Sequence, residues 1–156
     1  MINNPVTYSY NLIDEVDNSD DLIIFVKLLH NDFQSNKESW ENWSIEHCFS
    51  SIFAFLTAPI HKNKYSVHIH VIQTILRNYL FKKNSYIRNK PDEIIVDWKD
   101  SKGLLLEINK LGNQAEYPSF LNYLVCSLDV IITICEYNDL KYKELAFILQ
   151  IPMLYE

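Results

Sequence analysis

The sequence predicts a mainly α-helical fold, a single-domain helical bundle of about five to seven helices with at most a minor two-stranded β element. Three observations predict it. Apolar residues recur at offsets of three and four through most of the 156 residues. There are only two glycines, Gly103 and Gly112, too few for a fold built from many tight turns. The chain is 48 % hydrophobic, ordinary for a globular protein, and long enough for one domain to bury roughly 68–70 % of its unfolded surface.

Residues 1–18 show no helical period. Asn3, Asn4, Pro5 and Asn18 form loops, and Val6, Tyr8 and Tyr10 alternate with small polar residues, as in a short extended arm. In 19–57 two strong stripes follow: Leu22, Phe25, Val26, Leu29 and Phe33, then Ile45, Phe49, Ile52, Phe53 and Leu56. Ser19 and Ser44 stand where a hydroxyl can cap each run. The link 36–43 is short, so the two helices are expected to fold back as an antiparallel hairpin onto which the rest of the chain packs.

Ala58-Pro59 ends the second helix, because proline disfavours helical geometry in the residue before it. Residues 65–72 read two ways. Val67, Ile69 and Val71 alternate as in a strand, whereas Tyr65, Ile69, Ile72, Leu76, Tyr79 and Leu80 fit a helix to about residue 81; the longer pattern favours the helix. Residues 82–91 read as a loop ending at Pro91, and 94–96 as a short strand or a helical turn. Asp100 or Ser101 caps a short helix that Gly112 closes. One long helix is expected over 118–136, with Phe120, Leu121, Leu124, Leu128, Ile131, Ile132 and Cys135 on its buried side and its 128–134 stretch central to the core. A turn at Asn138-Asp139 precedes a last helix carrying Leu145, Ile148 and Leu149, which Pro152 is expected to stop.

Composition narrows the function classes. No glycine cluster exists for a dinucleotide turn, a P-loop or a nucleophile elbow, each of which needs backbone to turn sharply or approach phosphate. Cys48, Cys126 and Cys135 are odd in number and unrelated in spacing; buried reduced thiols are expected, not a disulfide framework or a Cys-based metal site. His68 and His70 can share an ion only on an extended backbone, since a helix turns them about 200° apart. His30 and His47 have acidic neighbours but no recognisable triad. No catalytic residue, cofactor or metal is therefore expected. No apolar run reaches the ~20 residues that cross a bilayer, and residues 1–5 do not resemble a signal peptide, so a cytoplasmic protein is expected.

Charge is segregated. Residues 1–60 carry nine acids and two bases, a net of −7; 61–90 carry seven bases and no acid; 91–156 carry eleven acids and five bases, a net of −6. One reading pairs or solvates these faces. The other makes them partner surfaces. The basic stretch, with Lys62, Lys64, Arg77, Lys82, Lys83 and Arg88 interleaved with Tyr65, Tyr79, Phe81 and Tyr86, has the composition of a nucleic-acid surface, against which stands the acidic pI near 5.3. Trp40 and Trp43 lie beside a link and serve either as a lid on the hairpin or as interface anchors.

The run Ser19-Asp20-Asp21-Leu22, Phe25-Val26, Leu29, Asp32-Phe33, Asn36, Ser39-Trp40-Glu41-Asn42, Ile45-Glu46, Phe49, Ile52, Phe55-Leu56, with the ending Tyr142, Leu145-Ala146-Phe147-Ile148-Leu149, Tyr155-Glu156, resembles a widespread family of small, uncharacterised bacterial proteins. Members carry tryptophan where this chain has Phe55. The resemblance implies no catalytic residues. The family's small, acidic, cytosolic character is similar to that of immunity proteins, which neutralise toxins used in bacterial competition. By that analogy a protein partner is expected. The segregated acidic charge suits a basic toxin domain, and the tryptophan-bearing link flanked by acids makes Asp20, Asp21, Glu38, Trp40, Glu41 and Trp43 the expected contact set. The alternative is nucleic-acid binding or regulation through the basic 61–90 segment.

Overall fold

A computed structural model describes residues 2, 8–35, 44–83 and 120–154. Six α-helices and no strand occur among them, and 81 % of that part is helical. The helices are α1 (Ser19–Ser35), α2 (Ile45–Leu56), α3 (Ser66–Lys83), α4 (Phe120–Cys126), α5 (Leu128–Tyr137) and α6 (Tyr142–Leu154). Single 3-10 turns at Tyr10–Glu15 and Pro59–His61 precede α1 and α3. All six helices feed one hydrophobic core.

The α1 and α2 stripes form as the spacing predicts. Leu22, Phe25, Val26, Leu29 and Phe33 are buried, as are Phe49, Ile52, Phe53 and Leu56. The expected hairpin does not organise the fold, however. α1 packs mainly on α4 and α6, and α2 on α6 and α3, with little contact between the two. α6 is the common support because it is buried over most of its circumference. Leu145, Ala146, Ile148, Leu149, Gln150 and Ile151 are all within it and all shielded from water. Each buried large aliphatic side chain stabilises by about 1.5–3 kcal/mol relative to exposure. The buried Gln150 is satisfied by the Tyr8 hydroxyl, which donates to its Oε1 at 3.0 Å, while the Tyr8 ring meets Phe25 edge-on at 5.9 Å.

Residues 65–72 lie on α3, not on a strand, so His68 and His70 point apart around that helix. α3 is tied to α4 through Tyr123, whose hydroxyl donates to the Ile75 carbonyl at 3.1 Å and accepts from Asn78 Nδ2 at 3.0 Å. The Tyr79 and Tyr123 rings pack edge to face at 5.0 Å.

Three boundaries differ from expectation. The predicted 118–136 helix is two helices, α4 and α5, meeting at 80° at Ser127. There the ladder is reset: the Ser127 N–H reaches the Leu124 carbonyl at 3.1 Å, and its own carbonyl accepts from Ile131 at 3.0 Å to start α5. α5 is also less central than predicted, with only Ile131 and Cys135 fully buried. Pro152 lies inside α6 rather than ending it, and having no N–H it withholds the usual helical bond from the Ile148 carbonyl. Residues 10–15 form a 3-10 helix in a segment where no helical period was expected, and Val6 of the possible extended arm lies outside the described residues. The proposed strand at 94–96, the short helix before Gly112 and the 36–43 link lie outside the described residues.

Candidate functional site

The acidic edge begins with a capped helix. Asn18, not Ser19, is the cap of α1: its side-chain Oδ1 accepts from the Asp21 N–H at 2.8 Å, and its carbonyl takes the first helical bond, from Leu22, at 3.1 Å. Asp21 closes the box in the other direction. Its carboxylate accepts from the Ile2 N–H at 3.1 Å and the Asp17 N–H at 3.0 Å. Burial pushes the Asp21 carboxyl up, but the backbone donors of Ile2, Asp17 and Asn18 outweigh it and hold the group below its ordinary value. At 3 % exposure Asp21 is a scaffold residue and offers a partner nothing, which corrects its assignment as a contact.

Around that scaffold Asp14, Glu15, Asp17 and Asp20 are all exposed. Four carboxylates thus stand within seven residues, on a turn and a helix start held by the Asn18–Asp21 box. Glu38, Trp40, Glu41 and Trp43 lie outside the described residues. Their link leaves α1 at Ser35, about 22 Å along the helix from Asp20.

Asp14 also borders a groove of about 290 Å3, where the 3-10 turn meets the start of α3 and the face of α6. Lys64, Tyr65, Lys143, Glu144 and Phe147 line it with Ile13 and Asp14. Its floor belongs to a cluster of rings. Phe55 packs against His61 (4.8 Å), Tyr65 (5.9 Å) and Phe147 (5.6 Å), and Tyr65 against His61 and His68, each at 5.0 Å. The Lys64 ammonium lies 5.3 Å from the Tyr65 ring centre, a cation–π contact.

His68 Nε2 is 2.8 Å from Glu144 Oε2, which clasps α3 to α6. A histidine–carboxylate pair is a common catalytic component, but Nδ1 of His68 is buried without a partner, so no substrate atom reaches it. The pair is a clasp. Among the described residues no three His, Cys, Asp or Glu side chains form a group that could hold a metal ion.

The basic segment does not form one face among the described residues. Lys62 and Lys64 are exposed on the tight turn before α3, where Lys62 and Asn63 take left-handed backbone (φ 45° and 66°). Arg77 lies about three turns into α3 and is half-buried, which lowers its pKa. Tyr65 and Tyr79, the rings a nucleic acid would stack on, are buried in the core. The Lys82 and Lys83 side chains and Arg88 lie outside what is described. Of the three cysteines, Cys48 and Cys135 are buried and reduced, as expected, and burial pushes the Cys135 thiol up to about 11 with Glu136 adding to the shift. Cys126, contrary to expectation, is exposed.

No family model, curated protein or solved structure matches this chain. The residues missed by the sequence reading are Asn18 and Glu144. Asn18 had a signal, since Asn-x-x-Asp is the spacing of a capping box. Glu144 had none, because its partner His68 is 76 positions away.

Proposed function

We propose that this chain is a protein-binding module, an immunity-type protein that neutralises a basic toxin domain by occupying it. The observation that carries the reading is the run of exposed carboxylates Asp14, Glu15, Asp17 and Asp20 on a start of α1 held rigid by the buried Asp21. Rigid placement lowers the entropic cost of association, and a clustered negative field steers a basic partner. The adjoining groove, with the half-buried Phe147 ring, supplies apolar surface beside the charges.

On sequence grounds Glu38, Trp40, Glu41 and Trp43 complete the contact set. A standard interface of about 800 Å2 per partner is equivalent to a disc about 30 Å across, wide enough to cover both ends of α1. The resemblance to a family of small acidic bacterial proteins supports the same reading.

The test is co-expression with the product of the neighbouring reading frame. The expected result is a copurifying complex and protection of cells from that product. Absence of both defeats the immunity reading. Binding to RNA or DNA at low salt, lost steeply as salt rises, would favour the basic segment instead.

A further inference from the structure

The groove beside the acidic edge has walls of opposite charge. Its floor is α6, on which the 3-10 turn at Tyr10–Glu15 and α3 both pack, with little contact between those two. One wall is acidic, with Asp14 and Glu15 exposed on the 3-10 turn. The other is basic, with Lys62 and Lys64 exposed on the turn before α3. Asp14 and Lys64 border the same groove, yet among the described residues Asp14, Glu15, Lys62 and Lys64 make no ion pair. Each wall is braced where it stands. Leu12 and Val16 are buried on either side of the two acids, and the lysine turn is closed by the Lys62 and Lys64 N–H groups on the Pro59 and His61 carbonyls, at 3.3 and 2.9 Å.

Apolar surface accompanies the charges. Among the described residues the exposed large hydrophobics are Ile60, Val67 and Tyr137. Two of these three flank the basic turn: Ile60, 82 % exposed, stands two residues before Lys62, and Val67 lies on the first turn of α3. The neighbouring His61 ring, packed on Phe55 and Tyr65, fixes the chain from which Ile60 projects. Across the groove the acidic side offers Ile13 and the floor offers Phe147, both half-buried. A projecting aliphatic side chain and a recess with apolar lining thus lie on one surface, each beside a charge of the opposite sign.

We infer that this groove is the contact between two copies of the chain, paired about a two-fold axis that runs along it. That axis lays the acidic wall of each copy on the basic wall of the other, so Asp14 and Glu15 meet Lys62 and Lys64 twice over. It also carries each Ile60 toward Ile13 and Phe147 of the other copy. An axis across the groove sets like charges together, which is costly, so the charge pattern selects one arrangement. The whole chain carries −6, and two copies repel at a distance. That repulsion is screened beyond about 8 Å at physiological salt, which leaves the local complementarity to decide a weak, close-range pairing. The pairing does not rest on the immunity reading, and either can fail alone.

The test is sedimentation equilibrium of the full chain over a concentration series, with two charge-reversed variants. Wild type is expected to move from 18.5 kDa to twice that mass as concentration rises, and no further. Asp14→Lys with Glu15→Lys, and separately Lys62→Glu with Lys64→Glu, should each weaken the dimer about tenfold or more, since every acid–base contact becomes like-charged. The first variant brings the net charge from −6 to −2 and the second brings it to −10, so a loss in both separates the local contacts from overall repulsion. An equimolar mixture of the two variants restores the dimer, because in the mixed pair every acid again faces a base, and this also shows that both are folded. Ile60→Ser, at an exposed position, weakens the dimer by a similar factor. Wild type that stays at the monomer mass or grows past the dimer overturns the pairing. So does an unchanged dimer in any variant, or a mixture that pairs no better than either variant alone.

Discussion

Two helix starts in this molecule have solved the same problem in opposite ways. At α1 a first-turn donor, the Asp21 N–H, is satisfied by the Asn18 side chain, and the Asp21 carboxylate in turn takes the N–H groups of Ile2 and Asp17 from the segments before the helix. At α5 the residue in the capping position, Ser127, turns its hydroxyl into a buried place with no partner, and the helix start opens on a cavity. Around the first, Asp14, Glu15, Asp17 and Asp20 are exposed at the surface. The second lacks a side-chain cap. Local sequence chemistry at two capping positions thus separates a braced helix start from an unbraced one.

The largest effect expected from breaking this contrast is at Asp21. Asp21→Ala strands the backbone donors that its carboxylate serves, one of them buried, and is predicted to destabilise by about 2–3 kcal/mol, lowering Tm by about 5–10 °C in thermal unfolding. The same group carries a pH signature. Its folded pKa lies below the ordinary 3.8, so the folded state releases this proton more readily than the unfolded chain does. Its contribution is therefore whole above about pH 4 and is lost as pH falls through 3.8 toward the folded value. Denaturant titrations at pH 7 and pH 3 should show a smaller gap between wild type and Asp21→Asn at the lower pH.

A smaller loss is expected at Asn18. Asn18→Ala removes one cap bond at a part-buried helix start and should cost about 1 kcal/mol in urea unfolding. Ser44→Ala sharpens the comparison. Its hydroxyl caps α2 from an exposed site, 3.2 Å from the His47 N–H, so its loss should cost about 0.5–1 kcal/mol. Ser127→Ala, by contrast, should leave stability unchanged or raise it by up to about 1 kcal/mol, because no bond is lost and an unsatisfied hydroxyl is removed. If Ser127→Ala is as costly as Asn18→Ala, the two starts are not different in kind.

The helices were readable where apolar spacing had one interpretation. Leu22 through Phe33 and Phe49 through Leu56 occupy the faces their spacing assigns. What each stripe faces is not readable, because a stripe records that burial occurs, not against what; α1 and α2 both pack on α6 rather than on each other. The bend at Ser127 left no mark either. Leu124, Leu128, Ile131 and Cys135 keep offsets of four, three and four straight across it, so the period continues where the axis does not. At α1 the Asn18 to Asp21 spacing carries the capping signal, one residue before the Ser19 hydroxyl. Charge counting found the acidic segment but could not separate Asp20, which is exposed, from Asp21, which is buried and bonded. That distinction depends on the Ile2 amide arriving from elsewhere in the chain.

The central claim is that the exposed carboxylates beside Asp21 draw in a basic protein partner. Its most direct test is the association rate with the neighbouring gene product, measured by stopped flow across a salt series for wild type and for the combined Asp14→Lys, Glu15→Lys, Asp20→Lys variant. The account predicts a wild-type rate that falls by about tenfold or more from low to high salt, and a variant that is slow at every salt concentration while unfolding at the wild-type temperature. Equal rates and equal salt dependence in the two proteins would contradict it.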